Sequence, residues 1–226
     1  MHIKTVILLL LLLTVSASAQ NHFRVNNPSR TLSIDIDVEK CDEGFRCAGK
    51  STFAFSRNHA ETPFQIIKLP DTYLRLEEGK PQVNVTLLYD EQSVLNFDDF
   101  NFDGFEDVAI CDGNNGGYGM PSYQVYLYSK KLNRFVHSTP FTKLGKELGM
   151  FEVDAKRKRL ATFSKSGCCW HQTAEYIVVN NLPKKVLEVT EDATYTGRGG
   201  DKVKVTTRKL IKGRWRTSTK YVKHEE

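Results

Sequence analysis

The chain has 226 residues, 40 % of them hydrophobic and 26 % charged, with 32 Lys and Arg against 27 Asp and Glu for a formal net charge of +5. Such a composition excludes a disordered polar chain and leaves room for one good-sized core or two small ones. The charge is unevenly spread. Asp90 to Asp112 holds eight acids and no Lys or Arg, whereas Lys130 to Glu226 holds 22 basic and 10 acidic side chains. The basic half reads as a solvated face or as an attraction to anionic partners. The signal-like start of the chain argues against nucleic acid, as does the lack of aromatic stacking platforms among the basic residues.

In chain order, residues 1–19 read as a secretory signal. Lys4 supplies the positive start, Val6 to Val15 the apolar run, and Ala17-Ser18-Ala19 the small-residue cleavage site. The run of about ten residues is too short to span a bilayer. Gln20, not cysteine, follows the cut, so a lipid anchor is not indicated. Residues 20–226 are then expected to form one exported domain, periplasmic and without a transmembrane segment.

Strict alternation dominates the mature chain. Leu32, Ile34, Ile36 and Val38 alternate with Ser33, Asp35 and Asp37, the pattern of a half-buried strand. The same period recurs at Val83 to Leu87 and at Val125 and Leu127. Further strands are expected at 51–55, 64–69, 73–76, 160–163, 176–179, 186–189, 203–207 and 215–218. Phe141 to Leu148 is the single, weak helical candidate. Short strands broken by Gly, Pro and Asn predict an all-β fold. Cys41 and Cys47 enclose a short acidic loop and predict a disulfide staple. Cys111, Cys168 and Cys169 cannot all pair within the chain, so one is free, vicinally linked or intermolecular. A bridge from Cys111 to Cys168 or Cys169 is the preferred reading, and a soft-metal site at the adjacent cysteines is disfavoured.

The most informative stretch is Asp99-Phe-Asn101-Phe-Asp103-Gly104-Phe105-Glu-Asp107. Oxygen side chains fall at positions one, three, five and nine, and Gly104 permits a sharp turn. Hard cations such as Ca²⁺ take six to eight oxygens, and alternate residues of a tight loop can turn inward together. Asp99, Asn101, Asp103 and Asp107 are therefore candidate ligands, with the carbonyl of Phe105 as a fifth. The alternative is an acidic turn. Ile110 stands where an EF-hand would carry its bidentate glutamate, so the loop leads into a strand and not a helix.

With Tyr123 to Tyr128 and Arg134-Phe135, this segment resembles one FG-GAP (integrin-type) repeat. Gly116-Gly117-Tyr118 and Gly167-Cys168-Cys169-Trp170-His171 extend the likeness to a family of bacterial periplasmic proteins that inhibit lysozyme-like peptidoglycan hydrolases. In that family the proteins act as immunity factors against type IV secretion toxins. The resemblance spans Val83 to Val189. It implies an irregular β-propeller, and about 200 mature residues leave space for about four or five blades. An internal echo agrees: shifted by 52 residues, Val108 falls on Leu160, Val125 on Ile177, Leu127 on Val179 and Phe135 on Leu187. The second copy keeps only Asp154 of the ligands, so only the first is expected to bind calcium.

No catalytic motif is present. The chain lacks Gly-x-Ser-x-Gly, a Walker loop and His-Glu-x-x-His, so an enzyme is not expected. Aromatic residues on glycine-flanked loops are the better functional candidates, because they bury large areas with few rotatable bonds. They are Tyr118 beside Gly117, Trp170 beside His171, and Tyr195, although Trp170 could simply cover a disulfide. The expected function is inhibition of a lysozyme-like hydrolase or toxin by loop insertion. A carbohydrate or surface-polymer binding module is the alternative, and a wall-modifying enzyme using acids among Asp98 to Asp112 comes third.

Overall fold

The computed structural model describes residues 21–223 apart from 27, 30, 43, 44, 59, 86–92 and 195–201. The expected signal segment, residues 86–87 of the Val83–Leu87 strand and Tyr195 lie outside the described residues; of that strand, Val83 makes only an isolated bridge to Leu95, and Asn84 turns to a positive φ of 57°. The described strands form three antiparallel sheets, none of them closed.

The first sheet holds β1 (His22–Asn26), β2 (Leu32–Asp42), β3 (Arg46–Arg57), β4 (Gln65–Leu69), β5 (Tyr73–Glu77) and β6 (Lys80–Pro81). Its long central strand β3 is shared: Ser51 to Phe55 pairs with β4, and Arg46 to Ala48 with β5. The second sheet is a meander of β7 (Leu95–Asp98), β8 (Asp107–Gly113), β9 (Ser122–Ser129) and β10 (Arg134–His137). A short helix α1 (Thr139–Leu144) follows and stops at Gly145, earlier than the expected Leu148. The third sheet runs in order through β11 (Glu152–Asp154), β12 (Arg159–Ser166), β13 (Trp170–Val179), β14 (Leu182–Asp192), β15 (Lys202–Ile211) and β16 (Arg214–Lys223).

The meander is the middle layer, and the sequence of β8 shows why. All seven residues of Asp107–Gly113 are buried. Val108 and Ile110 point into one core with Ile34, Ile36, Phe53 and Phe55 of the first sheet. Ala109 and Cys111 point the other way, into a second core with Phe141, Leu160, Ala174 and Tyr176. A strand buried on both faces reads as a continuous apolar run and not as an alternation. Each large side chain removed from water in this way contributes about 1.5 to 3 kcal/mol. On β9 the two faces divide likewise: Tyr123, Val125 and Leu127 fill the second core, while Tyr126 and Tyr128 pack against the first.

Of the expected all-β fold, the described residues show three open antiparallel sheets. The 52-residue echo has a structural counterpart. The shift carries β8 onto β12, most of β9 onto β13, and β10 into β14. Both sheets are up-and-down meanders at this point. The third then gains β15 and β16, in which Val205 alone is buried.

Candidate functional site

The acidic loop connects β7 to β8. Phe102 and Gly104 take positive φ angles of 62° and 89°. Its carboxylates cap the loop's own N–H groups. Asp99 accepts from the N–H of Asp103 at 2.9 Å and of Gly104 at 2.8 Å. Asp103 accepts from Phe105 at 2.9 Å, and Asn101 accepts from Asp103 at 3.2 Å. Asn101 also donates to Asp103 at 2.8 Å and to Asn181 at 3.0 Å, tying the loop to the β13–β14 turn.

Asp107 closes the loop from a fully buried position. It accepts N–H bonds from Tyr128 at 2.8 Å and Phe100 at 2.9 Å. Burial nevertheless pushes its carboxyl up to about 8; those bonds oppose the rise, and the charges of Asp103 and Asp99 add to it. Among the described residues, no three or more His, Cys, Asp or Glu converge as a metal cluster. The donors are nonetheless hard oxygens around a glycine turn, and a divalent cation would offset the mutual repulsion of their carboxylates. The residue types fit calcium, while their side chains here are engaged with backbone N–H groups.

The opposite end of β8 leads into the glycine loop. Asp112, 9 % exposed, bonds to Ser122, to Gln124 at 2.5 Å, and lies 3.9 Å from Lys146. Ser122 accepts the N–H of Asn115 at 3.2 Å, so the base of the loop is pinned. The N–H of Gly117 donates to the carbonyl of Glu147 at 2.5 Å. A Cβ at Gly117 would stand 2.8 Å from that same oxygen, so a side chain there must displace the loop.

Tyr118 stands on this base with φ 58° and 63 % of its surface exposed. Its hydroxyl accepts the N–H of Gly167 at 2.5 Å, and Lys165 lies 5.1 Å above its ring. The β12–β13 turn is joined in its own right to the residues after β14, since Ala193 donates to the carbonyl of Cys169 at 2.8 Å. Asp192 accepts from both the N–H and the hydroxyl of Thr194, at 2.9 and 2.6 Å. Gly117–Tyr118, Gly167–Cys169 and Ala193–Thr194 therefore form one continuous rim. Tyr195, expected beside them, lies outside the described residues.

Two sequence expectations are corrected here. Trp170 and His171 are not on a loop but open β13. Trp170 is paired on both sides, with Ser166 and Asp192, and His171 with Lys165 and Glu191. The ladder claims them because neighbours on both flanks extend as far as they do. Trp170 is half-buried, and the His171 ring stacks on Phe163 at 5.7 Å. The cysteines differ as well. Cys41 and Cys47 are bridged across the β2–β3 ladder, with Cα atoms 4.0 Å apart. Cys168 bonds to Cys169 itself, and Cys111 is free and buried. The expected bridge from Cys111 is absent because that side chain points into the second core from a central strand, whereas Cys168 and Cys169 sit on a turn at the rim. Burial pushes the Cys111 thiol up to about 12.

Sequence reasoning missed Lys165, Asn181 and the contact that Gly167 makes. Lys165 and Gly167 meet Tyr118 across 47 or more residues of chain, and Asn181 meets Asn101 across 80, pairings that only sheet stacking creates. The double asparagine at 180–181, both at positive φ, was a readable hairpin signal.

The fold and site define the class: an all-β protein of three stacked antiparallel sheets, with an acidic loop at one end and an aromatic rim at the other. No protein-family model and no curated protein matches the sequence at a significant level. The fold is similar to the solved structure of a Xanthomonas type IV secretion system related protein. The TM-score is 0.67 and the identity 21 %, over 90 % of this chain and 95 % of that one. At that identity the likeness is one of fold.

Proposed function

We propose that the protein is an exported, calcium-binding inhibitor that occupies the cleft of a lysozyme-like peptidoglycan hydrolase. The observation that carries the reading is Tyr118: an exposed aromatic held at positive φ, braced from a second sheet by Gly167 and Lys165. Such a side chain has lost most of its freedom before binding, so little ordering cost remains. The likeness to a type IV secretion system related protein supports a secretion-associated role. The Cys41–Cys47 bridge suits an oxidising compartment, as a periplasmic location requires.

In this reading the meander of β7 to β10 is the FG-GAP unit. Calcium would be held by Asp99, Asn101, Asp103, the carbonyl of Phe105 and Asp107, and it would supply positive charge that fixes the turn into β8. The residues at the rim do the binding. Tyr118 fills a sugar subsite, Gly117 lets its loop lie against Glu147, and Gly167, next to Cys168, holds the Tyr118 hydroxyl. Trp170 and His171 support the turn from β13. No residue of the inhibitor takes part in chemistry.

A second reading, a carbohydrate module, draws on the cleft of about 490 Å³ bordered by Asn84, Asn96, Asp98 and Glu152. Immobilised protein tested against a panel of secreted lysozyme-like hydrolases and against soluble glycan fragments separates the two. Nanomolar to micromolar capture of one hydrolase, lost in Tyr118→Ala, is expected. Tight glycan binding with no hydrolase captured would transfer the case to the carbohydrate reading.

A further inference from the structure

The end of the molecule opposite the rim carries a second pattern. Strand directions place the β9–β10, β11–β12, β13–β14 and β15–β16 turns at this end, together with the acidic loop. The Asn101–Asn181 bond joins the second and third sheets there. Among the described residues, eleven large apolar side chains are exposed. Six of them belong to this end: Phe105 36 %, Leu132 56 %, Val179 46 %, Leu182 54 %, Ile211 46 % and Trp215 39 %. Isolated exposed apolar residues are ordinary, but this segregation into turns is not.

The same turns carry cations. Lys130 and Lys131 precede Leu132, and Lys212 and Arg214 flank Gly213. Lys156 and Lys158 stand in the β11–β12 turn, where Arg157 is paired with Asp154 and Glu175. From Lys202 to Lys223 the hairpin of β15 and β16 has nine basic residues and no acid. The acids at this end are Asp98, Asp99, Asp103 and Glu106 of the β7–β8 loop, with Asp103 bordering the same cleft as Lys130, Leu132 and Leu182, and the paired Asp154.

We propose that these hairpin turns dock on an anionic phospholipid surface, with Leu132, Leu182, Ile211 and Trp215 entering the headgroup region and the cations lying against phosphate. Two features favour lipid over an acidic protein. The apolar side chains are spread over three hairpin turns, Leu132 on β9–β10, Val179 and Leu182 on β13–β14, and Ile211 and Trp215 on β15–β16, a breadth that a soft interface accepts. Trp215 is amphipathic, of the kind enriched at membrane interfaces, and Arg208 lies 5.3 Å from its ring. Apolar insertion and charge attraction add in such contacts. Docking this way turns the Tyr118 rim away from the membrane, so both ends work at once.

The test is co-sedimentation of the intact protein with vesicles of phosphatidylglycerol and phosphatidylcholine, against vesicles of phosphatidylcholine alone. Binding to the anionic vesicles is expected, with a blue shift of tryptophan emission that disappears in Trp215→Phe. A Lys or Arg near such a surface contributes about fivefold, so Lys130→Glu/Lys212→Glu/Arg214→Glu should bind about a hundredfold more weakly or worse. High salt should weaken the wild type in the same direction. Leu182→Ser/Ile211→Ser should weaken binding without changing the melting temperature; if the charge variant fails to fold, this pair and the salt series decide. Failure to bind anionic vesicles, or equal binding to neutral ones, overturns the proposal. So does concentration-dependent dimerisation that the same substitutions abolish, which would make a second copy the occupant.

Discussion

Replacing Tyr118 separates recognition from folding, because the structure gives the two roles very different sizes. The ring is 63 % exposed, so its removal empties no core. Two contacts are lost within the protein: the bond from the Gly167 N–H, worth about 0.5–1.5 kcal/mol net, and the exposed Lys165 contact, worth about 0.5–1 kcal/mol. The positive φ disfavours alanine as it does tyrosine, so Tyr118→Ala gains nothing there. Stability should fall by about 1–2 kcal/mol, a few degrees in Tm for a chain of this size. Binding should suffer more, by about 2 kcal/mol or over, a thirtyfold or larger rise in Kd. Tyr118→Phe sharpens the comparison: it keeps the ring but loses the hydroxyl that holds Gly167, so it should bind better than Tyr118→Ala and worse than wild type. Calorimetric titration with the captured hydrolase, beside thermal melts, reads both quantities. Unchanged affinity in Tyr118→Ala, or a melting loss large enough to explain the weakened binding, would refute the anchor.

Other expectations follow from single observations. Calcium at a hundred times its Kd should stabilise the wild type by about 2.7 kcal/mol, and Asp103→Ala should abolish that gain while melting nearly as wild type in chelator; identical wild-type melts with and without calcium would remove the metal from the account. Gly117→Ala should displace the rim by pushing on the Glu147 carbonyl, weakening hydrolase binding at least tenfold with a smaller effect on stability, and undiminished binding would show that the loop adapts. Peptide mapping of unreduced protein should find Cys41–Cys47 and Cys168–Cys169 bridges. Its one remaining thiol, Cys111, should resist alkylation at pH 8 until denaturant is added, because burial shields the sulfur and pushes the thiol well above its usual range; rapid labelling of the folded protein would contradict its placement.

The strands were legible because alternation is a local property. Leu32 to Val38 announced β2, and Cys41 and Cys47 announced a disulfide staple that the structure contains. The 52-residue echo was legible too, as two successive meanders. Sheet count was not. Nothing local distinguishes a propeller blade from a stacked layer, and the double-sided burial of Val108-Ala109-Ile110-Cys111 becomes decisive only once both neighbouring sheets are in place. The acidic loop was readable from residue spacing, although the capping of backbone N–H groups by Asp99 and Asp103 was not. The rim was half legible. Tyr118 was visible as an aromatic among glycines, but its brace comes from Gly167 in another sheet. Trp170 and His171 misled because a glycine upstream suggested a longer loop, and pairing on both flanks absorbed them into β13.

The central claim is inhibition, and the loss of turbidity of a cell-wall suspension measures it most directly. A captured lysozyme-like hydrolase is titrated with wild-type protein and with Tyr118→Ala. The account predicts lysis that stops near one equivalent of wild-type protein, with the variant needing a large excess. Lysis that continues undiminished at saturating wild-type protein, with the complex demonstrably formed, would contradict it.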